Sequence, residues 1–239
     1  MENGTNVKTY KGIKILYEDN HLLVAIKPEG MLSQEDSTKE QDILSLLKEY
    51  IKITYDKKGN VYLALVHRLD RRVSGVMVFA KTSKAASRLS NDIRLDLVNK
   101  IYYAVASGIV EENGKLINNL AKVNEKSIED NINGKESILE YERLNILKIN
   151  NKNYSLVKVN LHTGRFNQIR CQFALAHHPL INDFKYGFKS DANNNEYSHI
   201  GLFCVELSFN HPVTKERLSF TYDDVINRND NEWIEYFKD

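Results

Sequence analysis

A carboxylate among arginines stands in a polar segment between two short apolar runs. The apolar runs cover 61–66 and 75–80 and are rich in β-branched and aromatic residues, which predicts two buried strands. The segment between them is therefore a loop on a rigid scaffold, a frequent position for catalytic and binding groups. Its central residues are His67-Arg68-Leu69-Asp70-Arg71-Arg72.

Asp70 is the candidate reactive group of this loop. Nearby cations favour the charged form of a carboxylate, and an ionised, positioned carboxylate can act as a nucleophile or a base. A solvated turn with a surface ion pair would have the same composition. The loop alone does not distinguish these two interpretations.

The sequence around Asp70 predicts the elements of an α+β protein, with a large, mostly antiparallel sheet and helices packed outside it. The pattern is strand-rich with few helices, which is typical of that class. The polar stretch 111–136 predicts an irregular meander, and 137–147 predicts a strand pair. A helix is expected from Ile43 to Ile51 and another over 82–96 with Ser83 as its N-cap. The other predicted strands cover 15–17, 21–26, 100–108, 154–161, 200–209 and 218–222, and further helices start near Arg165 and at the carboxyl end.

Composition limits the function classes without choosing one. A chain of 239 residues can bury a sizeable core. Lys plus Arg is 33 and Asp plus Glu is 32, so the net charge of +1 lacks the basic excess usual in nucleic-acid binders, although a local patch is sufficient. The N-terminus has no long apolar run, so the sequence predicts neither a signal peptide nor a membrane span. Cys171 and Cys204 have neither metal-like nor disulfide-like spacing, so we expect a cytoplasmic protein with no membrane partner.

The Asp70 segment resembles the active-site motif of the RluA-type pseudouridine synthases. The resemblance rests on His67 to Asp70 followed by Ser74-Gly75, with Val73 where the family usually has Thr. It extends from about Ile15 to Tyr222. Further similar stretches are Lys27-Pro28-Glu29-Gly30, Lys100-Ile101-Tyr102-Tyr103-Ala104, Gly164-Arg165-Phe166-Asn167-Gln168-Ile169-Arg170, the loop from Pro179 to Gly187, and the hairpin around His211-Pro212.

This chain departs from the family pattern at several positions. Asn167 replaces the usual His, and Asn182 replaces a Gly in the loop after Pro179. Asn is the residue after Gly that best tolerates a positive φ, so we expect that turn to be kept. The segment after Gly134 lacks the family's Ala-x-Thr pattern, and no function is assigned to it.

The resemblance implies a pseudouridine synthase fold with a central active-site cleft. The catalytic domain would cover 15–239, as two subdomains that share one sheet. Residues 1–14 would form a polar tail, and no additional S4 RNA-binding domain is expected.

The resemblance also implies a reaction, the isomerisation of specific uridines to pseudouridine in structured RNA, either rRNA or tRNA. The N-glycosidic bond breaks, the uracil turns and a carbon–carbon bond forms. Nothing is added, so we expect neither a cofactor nor a metal. The only partner expected is RNA, and the protein is expected to be a monomer.

The implied catalytic residues are Asp70, Tyr102 and Arg170. Asp70 would attack the sugar or the base or abstract a proton, Tyr102 would stack on the uracil, and Arg170 would pair with Asp70. Neighbouring residues of a strand face opposite sides, so only one of Tyr102 and Tyr103 can face the site. Arg170 is turned about 100° from Ile169 on a helix, which predicts that it points away from the packed stripe. The residues assigned to RNA binding are His67, Arg68, Arg71 and Arg165.

Two other function classes remain open on the residues. A non-catalytic RNA-binding module of the same fold would be expected to lose Asp70. A carboxylate-dependent nucleoside or glycoside hydrolase usually needs two carboxylates, and the strong motifs offer only Asp70. A metal site built from His177, His178 and Asp183 is disfavoured because their spacing matches no established site.

Overall fold

The computed structural model describes residues 8–189 and 199–238. Within those ranges the strands are β1 (Lys8–Tyr10), β2 (Ile13–Glu18), β3 (Leu22–Lys27), β4 (Ala64–Leu65), β5 (Ser74–Ala80), β6 (Asn99–Ser107), β7 (Asn113–Val123), β8 (Lys126–Glu129), β9 (Lys135–Ile149), β10 (Lys152–Leu161), β11 (Leu202–Asn210) and β12 (Arg217–Thr221). The helices are α1 (Ile43–Thr54), α2 (Ser83–Arg94), α3 (Gln168–Leu175), α4 (Asp223–Ile226) and α5 (Asp230–Tyr236). This composition confirms the α+β class predicted from the sequence.

The chain divides into two compact units. Unit 1 comprises Met1–Val98 and Glu206–Tyr222, and unit 2 comprises Asn99–Val205 and Asp223–Asp239. The chain therefore passes between units within β11. No helix in the described ranges is long and apolar enough to span a membrane.

Unit 1 is built on the antiparallel strands β1, β2, β3 and β5, in that order. Every residue of β3 and β5 is buried, which identifies them as the inner strands. Helix α2 contributes Ala85 and Leu89 to their core, and β11 contributes Leu207 and Phe209. The short strand β4 pairs with the carboxyl end of β5, so the loop between β4 and β5 starts and ends on a buried scaffold.

Unit 2 contains the antiparallel strands β6, β10, β9, β7 and β8, in that order. Strand β9 is a single strand of 15 residues, and its pairing with β10 shifts register between Leu156 and Val157. Helix α5 packs against β9. The Trp233 side chain of α5 is 1% exposed and contacts the Phe203 ring edge-on at 5.4 Å.

Several predicted elements were misplaced in detail. The strand predicted over 61–66 is only Ala64–Leu65, and the meander predicted over 111–136 consists mostly of the regular strands β7 and β8. The strand pair predicted over 137–147 is the single strand β9. The N-cap of α2 is Thr82, whose side chain accepts from the Ala85 N–H, and not Ser83. Of the predicted tail 1–14, residues 8–10 form β1, and residues 1–7 lie outside the described ranges.

Candidate active site

Asp70 begins a tight turn in the loop 66–73, here called the Asp70 loop. The backbone carbonyl of Asp70 accepts from the Val73 N–H at 3.0 Å, and its Oδ1 accepts from the Arg72 N–H at 3.0 Å. An aspartate at the first position of a β-turn commonly makes this pair of bonds. The side chain is half-buried. One of its oxygens is therefore fixed by the turn that the aspartate itself begins.

Buried neighbours anchor both ends of the Asp70 loop. Leu69 is 6% exposed and Val73 is 2% exposed. The Ser33 Oγ donates to the Leu69 carbonyl at 2.7 Å and accepts from the Leu69 N–H at 3.2 Å. The loop is thus held by core packing and by a reciprocal hydrogen bond directly before Asp70.

His67 forms a hydrogen bond to strand β5 through one ring nitrogen. Its Nε2 accepts from the Val78 N–H of β5 at 3.1 Å. The ladder between β4 and β5 ends at Leu65 and Phe79, so the His67 ring supplies an acceptor where the strand pairing stops. That nitrogen carries no proton in this arrangement and cannot donate to a phosphate.

The arginines of the Asp70 loop differ in their surroundings. Arg68 is exposed. Arg71 forms a two-pronged ion pair with Glu40, with an Nη1 to Oε1 distance of 2.9 Å, and its Nε donates to the Gly30 carbonyl at 3.0 Å. Arg71 must therefore exchange Glu40 for any phosphate that it binds, whereas Arg68 is accessible as it stands.

Tyr102 lies on strand β6 of unit 2, and the strand pairing shows which face of the sheet carries its side chain. It pairs with Val159, which pairs in turn with Tyr141. Side chains of directly paired residues share a sheet face, and the Tyr141 ring contacts the Phe173 ring of α3 at 5.4 Å. Tyr102 therefore faces the side of the sheet that carries α3. Tyr103, its neighbour, faces the opposite side beside Lys158.

The Tyr102 ring is 7% exposed. Burial and the neighbouring Cys204 side chain raise the pKa of Tyr102 well above its ordinary value. The hydroxyl therefore stays protonated at neutral pH. Cys204 and Cys171 are both buried, and neither forms a disulfide.

Arg170 corrects the prediction that this side chain leaves the packed face of α3. It is 3% exposed, and its Nε and Nη2 donate to Oδ2 and Oδ1 of Asp183, each at 2.7 Å. Its guanidinium also lies 5.0 Å from the centre of the Tyr186 ring. A planar guanidinium suits this fork-like pairing, and the carboxylate makes its burial tolerable.

Buried amides hold the helix that carries Arg170. Gln168 Nε2 donates to the Ile138 carbonyl at 3.2 Å, and Gln172 Nε2 donates to the Ser137 carbonyl at 3.0 Å. The two side chains also bond to each other at 2.9 Å. Helix α3 starts at Gln168, later than predicted, because Asn167 has a left-handed backbone with φ of 48°.

The remaining predicted residues of unit 2 have defined partners. Arg165 lies in the turn before α3 and donates through Nε and Nη2 to the Glu136 carbonyl, each at 3.2 Å. Asn182 has a φ of 61°, which agrees with its expected conformation. His178 Nδ1 lies 2.8 Å from the Ser107 carbonyl oxygen, and Asp183 is committed to Arg170.

The predicted catalytic residues are distributed over both units. Asp70 belongs to unit 1, whereas Tyr102 and Arg170 belong to unit 2, where they lie on the same side of the sheet. The pairing of Asp70 with Arg170 stays a prediction. Sequence reasoning did not single out Asp183 as the partner of Arg170, although it stands in the similar loop after Pro179.

Two solved structures that share this fold are human proteins named for an RNA pseudouridylate synthase domain. The human RNA pseudouridylate synthase domain containing 4 protein superimposes with a TM-score of 0.69 over 87% of each chain, at 22% identity. The human RNA pseudouridylate synthase domain containing 1 protein gives the same TM-score over 92% of this chain and 85% of that chain, at 19% identity. The class that the architecture defines is thus the pseudouridine synthase fold.

The sequence comparisons give the family. A family model described as RNA pseudouridylate synthase matches residues 21–175. The tRNA pseudouridine synthase C of Haemophilus influenzae is 32% identical over 230 residues, covering 87% of this chain and 92% of the relative. The ribosomal large subunit pseudouridine synthase C of Buchnera aphidicola is 32% identical over 219 residues and is covered over 65% of its length. The chain belongs to the RNA pseudouridylate synthase family and is an isomerase of uridine in RNA.

Proposed function

We propose that Asp70 is the carboxylate that performs the isomerisation of a uridine in tRNA. The observation that carries this assignment is the Asp70 loop. It presents a half-buried carboxylate whose orientation is fixed by the Arg72 N–H and whose flanks are anchored by Leu69 and Val73. Preorganisation of this kind lets a reactive group act without reorganising during the reaction.

The reaction needs a carboxylate, a platform for the base and no added group. Asp70 would act covalently or by proton abstraction while the N-glycosidic bond breaks and the carbon–carbon bond forms. Tyr102 would stack on the uracil. Arg170 would orient Asp70, a role that agrees with its rigid mounting on Asp183 and α3. The target base must leave its stack, which costs a few kcal/mol, and the exposed Arg68 would fill the vacated space or hold a phosphate.

The choice of tRNA over rRNA rests on the relatives. Three named tRNA pseudouridine synthase C are matched over 85% to 92% of their length. The named ribosomal synthases are matched over 65% to 66% of theirs. The aligned part of this chain therefore spans most of the length of the relatives named for tRNA. We also propose a cytoplasmic location, with which two buried cysteines outside any disulfide are compatible.

Asp70→Asn tests the role of Asp70. It keeps the size of the side chain and an oxygen for the Arg72 N–H, but removes the charge. We expect a folded protein with no measurable turnover, assayed as release of the hydrogen from the base carbon that forms the new bond. Glu49→Gln, which makes the same change of charge at an exposed carboxylate paired with Lys11, is the matched control and should retain turnover. Turnover by Asp70→Asn on a substrate RNA would refute the assignment.

Mapping pseudouridine in tRNA and rRNA, from cells with and without the gene, tests the substrate. We expect a tRNA position to lose its pseudouridine and to regain it when the purified protein is added to that tRNA. A loss confined to rRNA would overturn the choice of tRNA, while the family assignment would stand.

A further inference from the structure

Residues 34–41, here called the acidic loop, reach the Asp70 loop within unit 1. They are all exposed, whereas Ser33 and Asp42 on either side are buried, with exposures of 6% and 3%. The Leu32 carbonyl accepts from the Ile43 N–H at 2.9 Å, which closes the base of the acidic loop at the start of α1. The acidic loop is therefore a surface loop on a fixed base.

A local turn shapes the acidic loop. The Asp36 carboxylate accepts from the Thr38 N–H at 2.8 Å, and the Asp36 carbonyl accepts from the Lys39 N–H at 3.2 Å. Lys39 has a φ of 56°, in the left-handed region. The loop thus has a defined conformation up to Glu40, whose carboxylate reaches Arg71.

Glu40 presents two oxygens to the Arg71 guanidinium. Arg71 Nη1 donates to Oε1 of Glu40 at 2.9 Å, and Arg71 Nη2 donates to Oε2. A phosphate offers two oxygens to arginine in the same fork-like arrangement. The Glu40 carboxylate therefore occupies the position in which Arg71 would hold a phosphate.

Separate contacts to Gly30 keep Arg71 in place. The Arg71 Nε donates to the Gly30 carbonyl at 3.0 Å, and the Arg71 carbonyl accepts from the Gly30 N–H at 2.9 Å. Neither bond involves Glu40. When Glu40 leaves, the Nη groups of Arg71 are therefore presented from a side chain that is still fixed at Nε, on the residue next to Asp70.

The ion pair of Arg71 and Glu40 is exposed enough to exchange. The two side chains are 41% and 46% exposed, and exposed ion pairs are weakly held and are screened by salt. The pair of Lys81 and Glu18 in the same unit differs, because its side chains are only 11% and 6% exposed. A nucleic-acid backbone brings many phosphates to a protein surface, so it can displace the Glu40 carboxylate.

We propose that Glu40 stands in for an RNA backbone phosphate on Arg71, and that the acidic loop releases Arg71 when the substrate RNA binds. The inference rests on the proposed function, because the phosphate that replaces Glu40 belongs to the substrate. It gives Arg71 a phosphate-binding position whose affinity is lowered by competition within the chain.

Glu40→Gln tests this competition, because glutamine keeps the length of the side chain without its charge. The probe is bulk tRNA from cells that lack the gene, and the readout is the Kd from filter binding at low salt. We expect Kd to fall about twofold to fivefold, the range that one exposed ion pair can supply, with kcat little changed. The gain should shrink as added salt screens the native ion pair.

Glu49→Gln is the matched control for overall charge, since Glu49 is an exposed carboxylate of unit 1 that pairs with Lys11. It should leave Kd nearly unchanged. Arg71→Ala should raise Kd, and the slope of log Kd against log salt concentration should become shallower by about one. Glu40→Gln added to Arg71→Ala should have no further effect. Urea unfolding curves show that each variant is folded.

Three outcomes would overturn the proposal. An equal gain in Glu40→Gln and Glu49→Gln would assign the effect to overall charge. A gain from Glu40→Gln that persists without Arg71 would show that Glu40 acts on another group. An unchanged Kd and salt slope in Arg71→Ala would show that Arg71 holds no phosphate.

NMR of the arginine side chains follows the exchange in the native protein. When bulk tRNA is added, the Arg71 Nη signals should shift, whereas the Nε–H signal should persist because Gly30 still accepts from it. Unmoved Nη signals in the RNA complex would contradict the release of Arg71. They would leave the role of Asp70 untouched, since that role is decided by the turnover of Asp70→Asn.

Discussion

Arg170 and Asp183 form an ion pair that is almost entirely removed from water, with side-chain exposures of 4% and 0%. Removing one member of a buried pair leaves an uncompensated charge, which typically costs about 3–5 kcal/mol. We therefore expect Asp183→Ala to lower the free energy of unfolding by about that amount, measured by urea denaturation. Asp183→Glu, which retains the charge, should lose less. Equal stability of Asp183→Ala and the native protein would show that Arg170 has another sufficient partner.

Tyr102 and Tyr103 provide a test of strand orientation within one pair of neighbours. Tyr102 faces the α3 side and Tyr103 faces away. Tyr102→Phe keeps the stacking ring and should retain RNA binding, whereas Tyr102→Leu removes it. Stacking on an aromatic ring contributes about 1–3 kcal/mol per base, so kcat/KM of Tyr102→Leu should fall about tenfold to a hundredfold.

Tyr103→Phe is the control in the same strand and should be nearly silent. The comparison is turnover of the three variants on one RNA, with unfolding curves to show that each is folded. An inactive Tyr103→Phe beside an active Tyr102→Leu would assign the platform to the opposite face of β6.

At the scale of elements, the start of α2 has a single capping side chain. The Thr82 Oγ1 accepts from the Ala85 N–H at 3.2 Å, and the loss of such a cap typically costs about 1 kcal/mol. Thr82→Ala should therefore lower the free energy of unfolding by about that amount. Ser83→Ala replaces an exposed residue inside the helix and should be within about 0.5 kcal/mol of the native protein. Urea unfolding followed by circular dichroism compares the two variants. A larger loss of unfolding free energy in Ser83→Ala would identify Ser83 as the N-cap.

Elements with one strong apolar face were predictable from the sequence. Helix α1 buries its expected positions, and β5 is the buried strand that its composition indicates. The weak polar–apolar alternation of β7 and β8 concealed regular strands, because exposed positions such as Ile117 and Ile128 are apolar. Arg170 was misplaced for a related reason: helical spacing gives a direction, but it does not show that Asp183 accompanies the guanidinium into the core.

At the scale of the whole molecule, the net charge of +1 offers little overall repulsion near neutral pH, so specific buried carboxylates should control acid stability. Burial opposes the ionisation of Glu18, but Lys81 at 2.7 Å and the Tyr50 hydroxyl at 2.9 Å outweigh it and lower the pKa of Glu18. Burial likewise opposes the ionisation of Asp19, and the N–H groups of His21 and Leu22 outweigh it and lower the pKa of that carboxyl.

A carboxyl whose pKa is lower in the folded state contributes stability that is complete above its unfolded value and is lost as pH falls through its folded value. The ordinary values are 4.5 for Glu18 and 3.8 for Asp19. The free energy of unfolding should therefore be level at neutral pH and start to fall near pH 4.5, with a further fall below pH 3.8. Glu18→Gln should be less stable at pH 7 and show a shallower acid slope, measured by urea denaturation between pH 7 and 3. Because buried pairs are screened little, added salt should leave most of this difference in place. A difference abolished by salt would assign the acid sensitivity to surface charges instead.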